Sequence, residues 1–480
     1  VIDPCRTELT KFAQIWLKPE IGTDTALING IAKIIFDNNT YDEEFVTRRT
    51  DNFDEYSVTL SKYSPEYVEN ITGVPENHIQ LAAKIYSEAK TASIVYGTGI
   101  TQQQRGTAGV IALANLAMLT GNIGHHGGGI FALQKENNAQ GACDMGALPD
   151  FLPGYRSLED SQSRDIFRDA WQAEIPEKPG MTAIEVLQQA EAGNIKGMLI
   201  MGENPVVSFP DPAFIRKALS SLEFLCIADI FPTETTELAS VIMPATAFAE
   251  KDGTFTNFEG RVQQLRKAVD PPGTSLPDWE IILKLSREMG SSIQYSSSRE
   301  ILNEIEELVP LYQHLSHHDF EQDSDELDSS SERLGAKRFY KGLFPSGFGR
   351  FTPVEYISSE AGKNDRYPLV LITGSTLHGF GSGTRSGRAS RLRSFTPQAW
   401  IEISNGDSIL YKINAGDKVR IISPAGEITA IVRISDDLDE GMLFMPSSFS
   451  DSPVNALFGS ATANSLKTCS VRLERIDNNG

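Results

Sequence analysis

The stretch Glu136–Pro149, ENNAQGACDMGALP, combines amide side chains, small residues, a thiol and carboxylates without a repeating apolar face. A helix or strand packed on a core would show such a face, so the sequence predicts a loop that other elements hold in place. Glycine lets a backbone approach a ligand closely, and amide side chains both donate and accept hydrogen bonds. These properties suit a large cofactor rich in heteroatoms. A polar Ω-loop that packs on its own side chains explains the composition equally well.

Strand and helix signals alternate before this stretch. Helices are predicted from Thr23 to Phe36, with Thr23 as the N-cap, and from Pro65 and Pro75 onward. A short apolar strand at residues 92–96 then leads through Gly97-Thr98-Gly99 into an apolar helix, 110–119. A strand, a glycine turn and a helix in this order can present backbone N–H groups to a phosphate or a pterin.

Three further strands are predicted after the stretch, and each ends in a polar turn. They lie at residues 196–201, 225–228 and 240–243, with a helix at 213–219. Ligands of open α/β sheets bind where the carboxyl ends of the strands meet. Glu203 and Asp229 follow two of these strands, although a loop charge and a helix N-cap explain them equally well.

The C-terminal part has short β-rich runs separated by Gly, Pro, Asn and Asp, which is typical of a closed barrel. The runs are 368–374, 399–403, 418–423, 428–433 and 442–446. Between the sheet and the barrel, a helix at 298–308 precedes the acidic segment His317–Glu332, for which we expect a solvated insertion without chemistry. The predicted domains are an α/β domain at 1–135, a nucleotide-binding α/β domain at 136–272, a connecting segment at 273–349 and a barrel at 350–480.

Composition excludes several classes of function. Lys and Arg total 43 against 64 Asp and Glu in 480 residues, so non-specific binding to nucleic acid or to anionic membranes is disfavoured. The four cysteines are widely separated and do not form a metal-binding cluster in the sequence. Sparse cysteine is typical of a reducing, cytoplasmic compartment. Uninterrupted apolar stretches are too short for a membrane-spanning helix.

Six segments in order resemble the catalytic (alpha) subunits of molybdopterin-dependent oxidoreductases, the dimethyl sulfoxide reductase superfamily. Beside the central stretch, they are VIDPCRTE with GTDTAL, YGTGITQ, MGENP, ADIFPTETTELASVIMPA and FMPSSFSDSPVNALF. Within that family, NNAQGACDMGALPDFLPGY is most similar to formate dehydrogenases. The resemblance implies two doubly wound α/β domains around a bis(molybdopterin guanine dinucleotide) cofactor with molybdenum or tungsten, and a six-stranded, double-psi-like barrel. It also implies a formate substrate and iron–sulfur partner subunits.

The resemblance assigns cofactor-binding roles to individual residues. The positions that line the guanine nucleotide ends are Asp3, Asp24, Gly202, Glu203, Asn204, Asp229 and Thr233. The positions that lie against the pterins are Gly97, Gly99, Gln102, Glu136, Asn137, His378, Asn455 and Lys467. Carboxylates suit guanine because its N1–H and its amine both donate hydrogen bonds. A barrel-loop role for His378, and surface roles for Asn455 and Lys467, remain open alternatives.

The sequence departs from the family pattern in two ways. The family's metal ligand and the cysteines of its [4Fe–4S] cluster lie upstream of the Asp3-Pro4 motif, so we expect an N-terminal part to be missing and the fragment alone to be inactive. In addition, Gln134 stands where formate dehydrogenases place a substrate-binding arginine, and Ser375 stands where relatives commonly have arginine. Gln134 is therefore the candidate catalytic residue, with Lys135 as a neighbouring point charge.

Three alternatives follow from these departures. The chain could belong to a molybdopterin enzyme with a different small substrate. It could be a non-catalytic, truncated homologue that keeps the fold. A plain nucleotide-binding α/β protein would explain the polar turns after the strands but not the barrel.

Overall fold

The computed structural model describes residues 1–313, 344, 347–358, 364–459 and 467–476, so the acidic segment lies outside the described residues. The chain divides into two compact units, one formed by Val1–Leu133 with Arg338–Gly480 and the other by Gln134–Lys337. The four domain boundaries expected from the sequence stay a prediction. Within the described ranges, every helix is too short or too polar to cross a bilayer.

The N-terminal part of the first unit is mainly helical. Its central helix, Asp24–Asp37, is buried along most of its length, because nearly every residue from Thr25 to Ile35 is small or apolar. Gly30 lets the neighbouring helix approach closely, since a Cβ there would lie 2.7 Å from a methyl group of Val68. The elements are Glu8–Phe12 (3-10), Asp24–Asp37, Glu43–Arg49, Phe53–Leu60, Pro65–Thr72, Glu76–Glu88, Thr98–Thr101 and Gly106–Leu119.

A short parallel sheet carries the glycine turn. Strand Ser93–Tyr96 pairs with Gly129–Ala132, and the helices Thr98–Thr101 and Gly106–Leu119 lie between them in the chain. The predicted strand, turn and helix are therefore confirmed. Thr23 precedes the helix Asp24–Asp37 as predicted, but its hydroxyl donates to the Glu20 carbonyl instead of accepting a capping bond.

An extended segment after residue 347 crosses the helices of this unit. Gly349–Arg350 pairs with Thr50–Asp51, and the buried Phe351 ring stacks on Tyr56 with centroids 4.9 Å apart. Asparagine side chains hold the backbone that follows. Asn52 donates to the Phe351 carbonyl, Asn115 bonds both backbone groups of Thr352, and Asn29 donates to the Val354 carbonyl. The sequence analysis missed these contacts because they join residues more than 200 positions apart.

Six strands of the first unit form a closed barrel, as predicted. In spatial order they are Leu369–Gly374, Met442–Pro446, Trp400–Ser404, Glu427–Ser435, Lys418–Ile422 and Thr468–Arg475. Side chains alternate between interior and solvent, as with buried Val419 and Ile421 in Lys418–Ile422. The sixth strand was not found from the sequence, because polar and charged residues occupy most of its positions. Helical turns connect the strands at Ser386–Arg388, Ser390–Phe395, Asn405–Tyr411 and Val454–Leu457.

A three-stranded parallel sheet forms the core of the second unit. Strand Phe224–Asp229 lies between Gly197–Met201 and Val241–Pro244, which confirms the three predicted strands. Helix Pro212–Ser220 packs its apolar face, including Ile215 and Leu219, with the central strand. The other helices are Ala139–Asp144, Ser161–Trp171, Ala183–Glu191, Pro205–Ser208, Thr236–Leu238, Phe248–Glu250, Asp278–Glu288, Ser298–Leu308 and Pro310–Tyr312. Two short antiparallel pairs complete the described strands of this unit: Phe151–Leu152 with Arg156–Ser157, and Gly253–Thr256 with Val262–Leu265.

Candidate functional site

Two carboxylates lie close together near the start of the first unit. Asp3 accepts a hydrogen bond from the Cys5 backbone N–H at 2.8 Å, and Asp24 opens the central helix. Burial raises the pKa of Asp24 to about 6. A hydrogen bond from its own backbone N–H lowers the pKa, and the negative charge of Asp3 raises it further. Burial also raises the pKa of Asp3. A half-buried acidic pair of this kind suits a ligand that donates hydrogen bonds.

Lys467 joins this pair to the glycine turn. Its Nζ lies 3.5 Å from Thr98 Oγ1, and its positive charge partly offsets the raised pKa of Asp3. Its carbonyl accepts from Thr373 N at 2.8 Å, at the end of a barrel strand. The first unit therefore brings together Asp3, Asp24, the turn at Thr98 and Lys467, which are distant in the sequence.

The glycine turn is open to a ligand at one position. Among the residues that the structure describes, Gly99 has no heavy atom within 4 Å of the place that a Cβ would occupy, and Gly97 has only the Leu133 carbonyl, at 3.8 Å. Gln102 ends the short helix, and its N–H donates to the Thr98 carbonyl at 3.1 Å. By contrast, Gly106 packs against the turn, since a Cβ there would lie 2.3 Å from the Thr101 carbonyl oxygen.

The parallel barrel strands Leu369–Gly374 and Met442–Pro446 lie side by side, and the predicted residues His378 and Asn455 follow them in the chain. Ser447 N donates to the Gly374 carbonyl at 2.9 Å, so the loops that follow the two strands start side by side. In the first loop, His378 stacks on Phe395 with ring centroids 4.6 Å apart. Asn455 lies beyond the second loop, in the turn Val454–Leu457. The strand ends therefore place His378 and Lys467 at the same edge of the barrel.

Polar turns at the strand ends of the second unit lie side by side. Gly202 follows the first strand with a positive φ of 64°, and no described residue lies within 4 Å of the place where a Cβ would point. Glu203 accepts from the Asn204 N–H at 2.9 Å and from the Ser208 hydroxyl. Asp229 ends the adjacent strand and accepts from the Ile230 N–H at 2.6 Å. The two carboxylates thus stand at one edge of the sheet, as the strand-end argument predicts.

The side chains of Asn204 and Thr233 form hydrogen bonds with other residues of the protein. Asn204 is buried, donates to the Glu234 carboxylate at 2.8 Å and accepts from the Thr235 hydroxyl at 2.6 Å. Thr233 exchanges bonds with Thr236, whose N–H donates to the Thr233 hydroxyl at 3.2 Å. These two side chains therefore hold the turns in shape. The sequence analysis missed Glu234 and Thr235, although both lie in the segment that carries the family resemblance.

The central stretch is not entirely a loop. Residues Ala139–Asp144 form a short helix, so the prediction of an irregular segment was wrong for these six positions. The helix buries Gly141 and Asp144, which contact other parts of the unit and need no long apolar face. Gln134, Glu136 and Asn137 precede it with exposed side chains. Between them, Lys135 is half-buried, and burial lowers the pKa of its ammonium group.

Within the residues that the structure describes, no three His, Cys, Asp or Glu side chains are arranged to hold a metal ion. Burial raises the pKa of the Cys469 thiol to about 12 and that of the Cys5 thiol to about 12, the latter with the help of Asp3. These thiols are poor nucleophiles and poor metal ligands, because both roles require the thiolate. Polar groups at the carboxyl ends of neighbouring strands are typical of the class of α/β proteins that bind a ligand at that edge of the sheet.

Comparison with known proteins identifies the family. Residues 1–288 match the model of the molybdopterin oxidoreductase family, and residues 369–473 match the molybdopterin dinucleotide binding domain. The alpha subunit of F420-dependent formate dehydrogenase from Methanocaldococcus jannaschii is 42% identical over 99% of this chain and 72% of the relative. Formate dehydrogenase H from Escherichia coli is 32% identical over 99% of the chain and 68% of the relative. This chain belongs to the molybdopterin oxidoreductase family, and its cofactor is a molybdopterin.

A solved structure supports the fold. Acetylene hydratase from Pelobacter acetylenicus superimposes with a TM-score of 0.77 over 99% of this chain and 73% of that protein, at 16% sequence identity. The mixed α/β architecture with a closed six-stranded barrel is therefore confirmed. The residue assignments of the cofactor site stay predictions.

Proposed function

We propose that this chain is part of a formate dehydrogenase that oxidises formate to carbon dioxide, one proton and two electrons. The observation that carries the proposal is the similarity, over 99% of the chain, to alpha subunits named formate dehydrogenases. The acidic pair Asp3 and Asp24, with the charge of Lys467 acting on Asp3, supports the cofactor part of the proposal.

The residues of each unit fit one part of a bis(molybdopterin guanine dinucleotide). In the first unit, Asp3 and Asp24 would accept hydrogen bonds from a guanine, and the open face of Gly99 would lie against a pterin. In the second unit, Glu203 and Asp229 offer carboxylates at the strand ends, with open space at Gly202. When bound, the group and its molybdenum or tungsten supply the two-electron redox chemistry. The protein holds and orients it.

The segment Gln134–Asn137 is the proposed substrate-facing part of the chain. The Gln134 amide can donate one hydrogen bond to a formate oxygen, and the Lys135 ammonium can supply a positive charge. Burial lowers the pKa of Lys135, so this charge is held less strongly than on an exposed lysine. A [4Fe–4S] cluster and iron–sulfur partner subunits would accept the electrons.

The experiment is metal and pterin analysis of the full-length protein from its native host, with formate-dependent dye reduction on the same sample. Restoring the fork-shaped donor with Gln134→Arg should raise kcat/KM for formate about tenfold or more, because hydrogen bonds to charged groups are worth about 1.5–3 kcal/mol. Gln263→Arg makes the same charge change at an exposed position of strand Val262–Leu265 and should have no effect. Bound metal and pterin without formate oxidation would refute formate as the substrate.

One observation favours a second candidate function. Gln134 is an amide where formate dehydrogenases place an arginine, so a small neutral substrate would lose less from the missing charge than formate does. A panel of small oxyanions and neutral molecules, assayed on the same preparation, distinguishes this candidate from formate oxidation.

A further inference from the structure

A buried polar network fixes the end of the short helix in the central stretch. The Asp144 side chain is fully buried, with Oδ1 accepting from Gln140 Nε2 and Oδ2 accepting from the Tyr312 hydroxyl, both at 2.8 Å. Tyr312 is itself buried, and its hydroxyl lies 2.8 Å from Thr256 Oγ1. Because a carboxylate only accepts, Tyr312 donates to Asp144, so the Thr256 hydroxyl donates to Tyr312.

The start of the same helix is fixed on the same strand. Asn138 Oδ1 accepts from the Thr256 backbone N–H at 2.8 Å. Gly141 makes this contact possible, since a Cβ there would lie 2.3 Å from Asn138 Oδ1 and 3.3 Å from Thr256 Cβ. Both ends of Ala139–Asp144 are therefore attached to strand Gly253–Thr256, one directly and one through Tyr312.

The helix depends on these attachments for its order. It has six residues and no side-chain capping bond at its N-terminus, and isolated helices of this length are unstable in water. Burial, reinforced by the charge of Asp144, raises the pKa of Tyr312 far above its ordinary value despite the bond from Thr256. The Tyr312 hydroxyl therefore keeps its proton throughout the usual pH range of an assay and continues to donate its hydrogen bond to Asp144.

We propose that Asp144 and Tyr312 are positioning residues, which hold the segment Gln134–Asn137 in place for the substrate through the attached helix. Asn137 is bonded covalently to the fixed Asn138, so movement of the helix would displace the substrate-facing side chains directly. The proposal rests on the proposed function, because it takes Gln134–Asn137 as the substrate-facing segment.

Tyr312→Phe in the full-length, cofactor-loaded enzyme tests the proposal. It removes the hydroxyl and keeps the ring in the core. We expect the KM for formate to rise about tenfold, with a smaller change in kcat, because substrate positioning is lost while the redox centre is intact. Amide hydrogen exchange in a peptide covering residues 134–138 should accelerate about tenfold.

Tyr295→Phe is the matched control. The Tyr295 hydroxyl also donates to a carboxylate, that of Glu304 at 2.6 Å, but this bond involves no residue of the central stretch or of strand Gly253–Thr256. It should leave both the KM and the exchange rate at residues 134–138 unchanged. Gly141→Ala displaces Asn138 at the other end of the helix and should reproduce the effect of Tyr312→Phe. It replaces Tyr312→Phe as the test variant if that protein does not fold.

Equal exchange at residues 134–138 in Tyr312→Phe and Tyr295→Phe would overturn the positioning role. Faster exchange with an unchanged KM would overturn it as well, because the mobile segment would then have no part in substrate binding. A wild-type enzyme that does not oxidise formate would refute the proposed function separately. In that case faster exchange in Tyr312→Phe would still support the attachment of the segment, and equal exchange would still refute it.

Discussion

Replacing Asp24 with asparagine should stabilise the cofactor-free protein at neutral pH. The pKa of Asp24 is raised from 3.8 to about 6, first by burial and then by the negative charge of Asp3. The folded state therefore binds a proton more tightly than the unfolded chain. Stability is greatest below the unfolded pKa and is lost as the pH rises through the folded pKa.

The size of the effect follows from the two pKa values. Their difference corresponds to about 3 kcal/mol of unfolding free energy at pH 7, and contact of the half-buried side chain with water makes this an upper value. Asparagine has the same shape and no charge, so Asp24→Asn should remove most of this cost. The gain should be present at pH 7 and should disappear near pH 4, where the native aspartate is protonated.

Urea unfolding of the cofactor-free protein between pH 4 and pH 8 measures this difference. Asp54→Asn, at an exposed position in another helix of the same unit, is the control and should change stability by less than about 0.5 kcal/mol. Equal stabilities of wild type and Asp24→Asn at every pH would refute the argument. The same variant should lose cofactor, because a neutral amide accepts hydrogen bonds from guanine more weakly than a carboxylate does.

Two further predictions concern packing. Phe351→Ala should lower the free energy of unfolding by about 3–5 kcal/mol, because it removes a fully buried ring stacked on Tyr56; urea unfolding measures this, and a loss below about 1 kcal/mol would contradict it. Gly106→Ala should destabilise the protein strongly, since its Cβ would lie 2.3 Å from the Thr101 carbonyl oxygen. Gly99→Ala, by contrast, places its Cβ where no described residue lies within 4 Å, so this variant should fold normally but lose cofactor. Thermal unfolding and pterin content of the two glycine variants distinguish these effects. Similar melting temperatures of Gly106→Ala and Gly99→Ala would contradict the predicted destabilisation by Gly106→Ala.

Local patterns were sufficient for most of the regular elements. The parallel strands of the second unit and five of the six barrel strands show continuous or alternating apolar residues, which is the direct consequence of burial on two faces or one. Strand Thr468–Arg475 was missed because its sequence, TCSVRLER, alternates weakly and contains three charged residues. Its partners on both sides, Leu369–Gly374 and Lys418–Ile422, supply the pairing that its own composition does not indicate.

The candidate site was predictable where a polar residue follows a strand. Asp229 and Glu203 belong to this kind, and so does the glycine turn after Ser93–Tyr96. Contacts between distant segments were not predictable, because nothing local distinguishes a lysine that reaches a turn from one that faces water. Lys467, 369 residues from its contact at Thr98, was located through family resemblance alone.

The helix in the central stretch shows why composition misled the prediction there. An apolar stripe is needed when a helix is held by the hydrophobic effect, but Ala139–Asp144 is held by hydrogen bonds to one carboxylate and one amide. A buried carboxylate is costly unless every partner is present, so Asp144, Gln140, Tyr312 and Thr256 depend on one another. Such a network gives the segment before it a single conformation. Small residues and amides in a motif can therefore indicate a rigid support as well as a flexible loop that contacts a ligand.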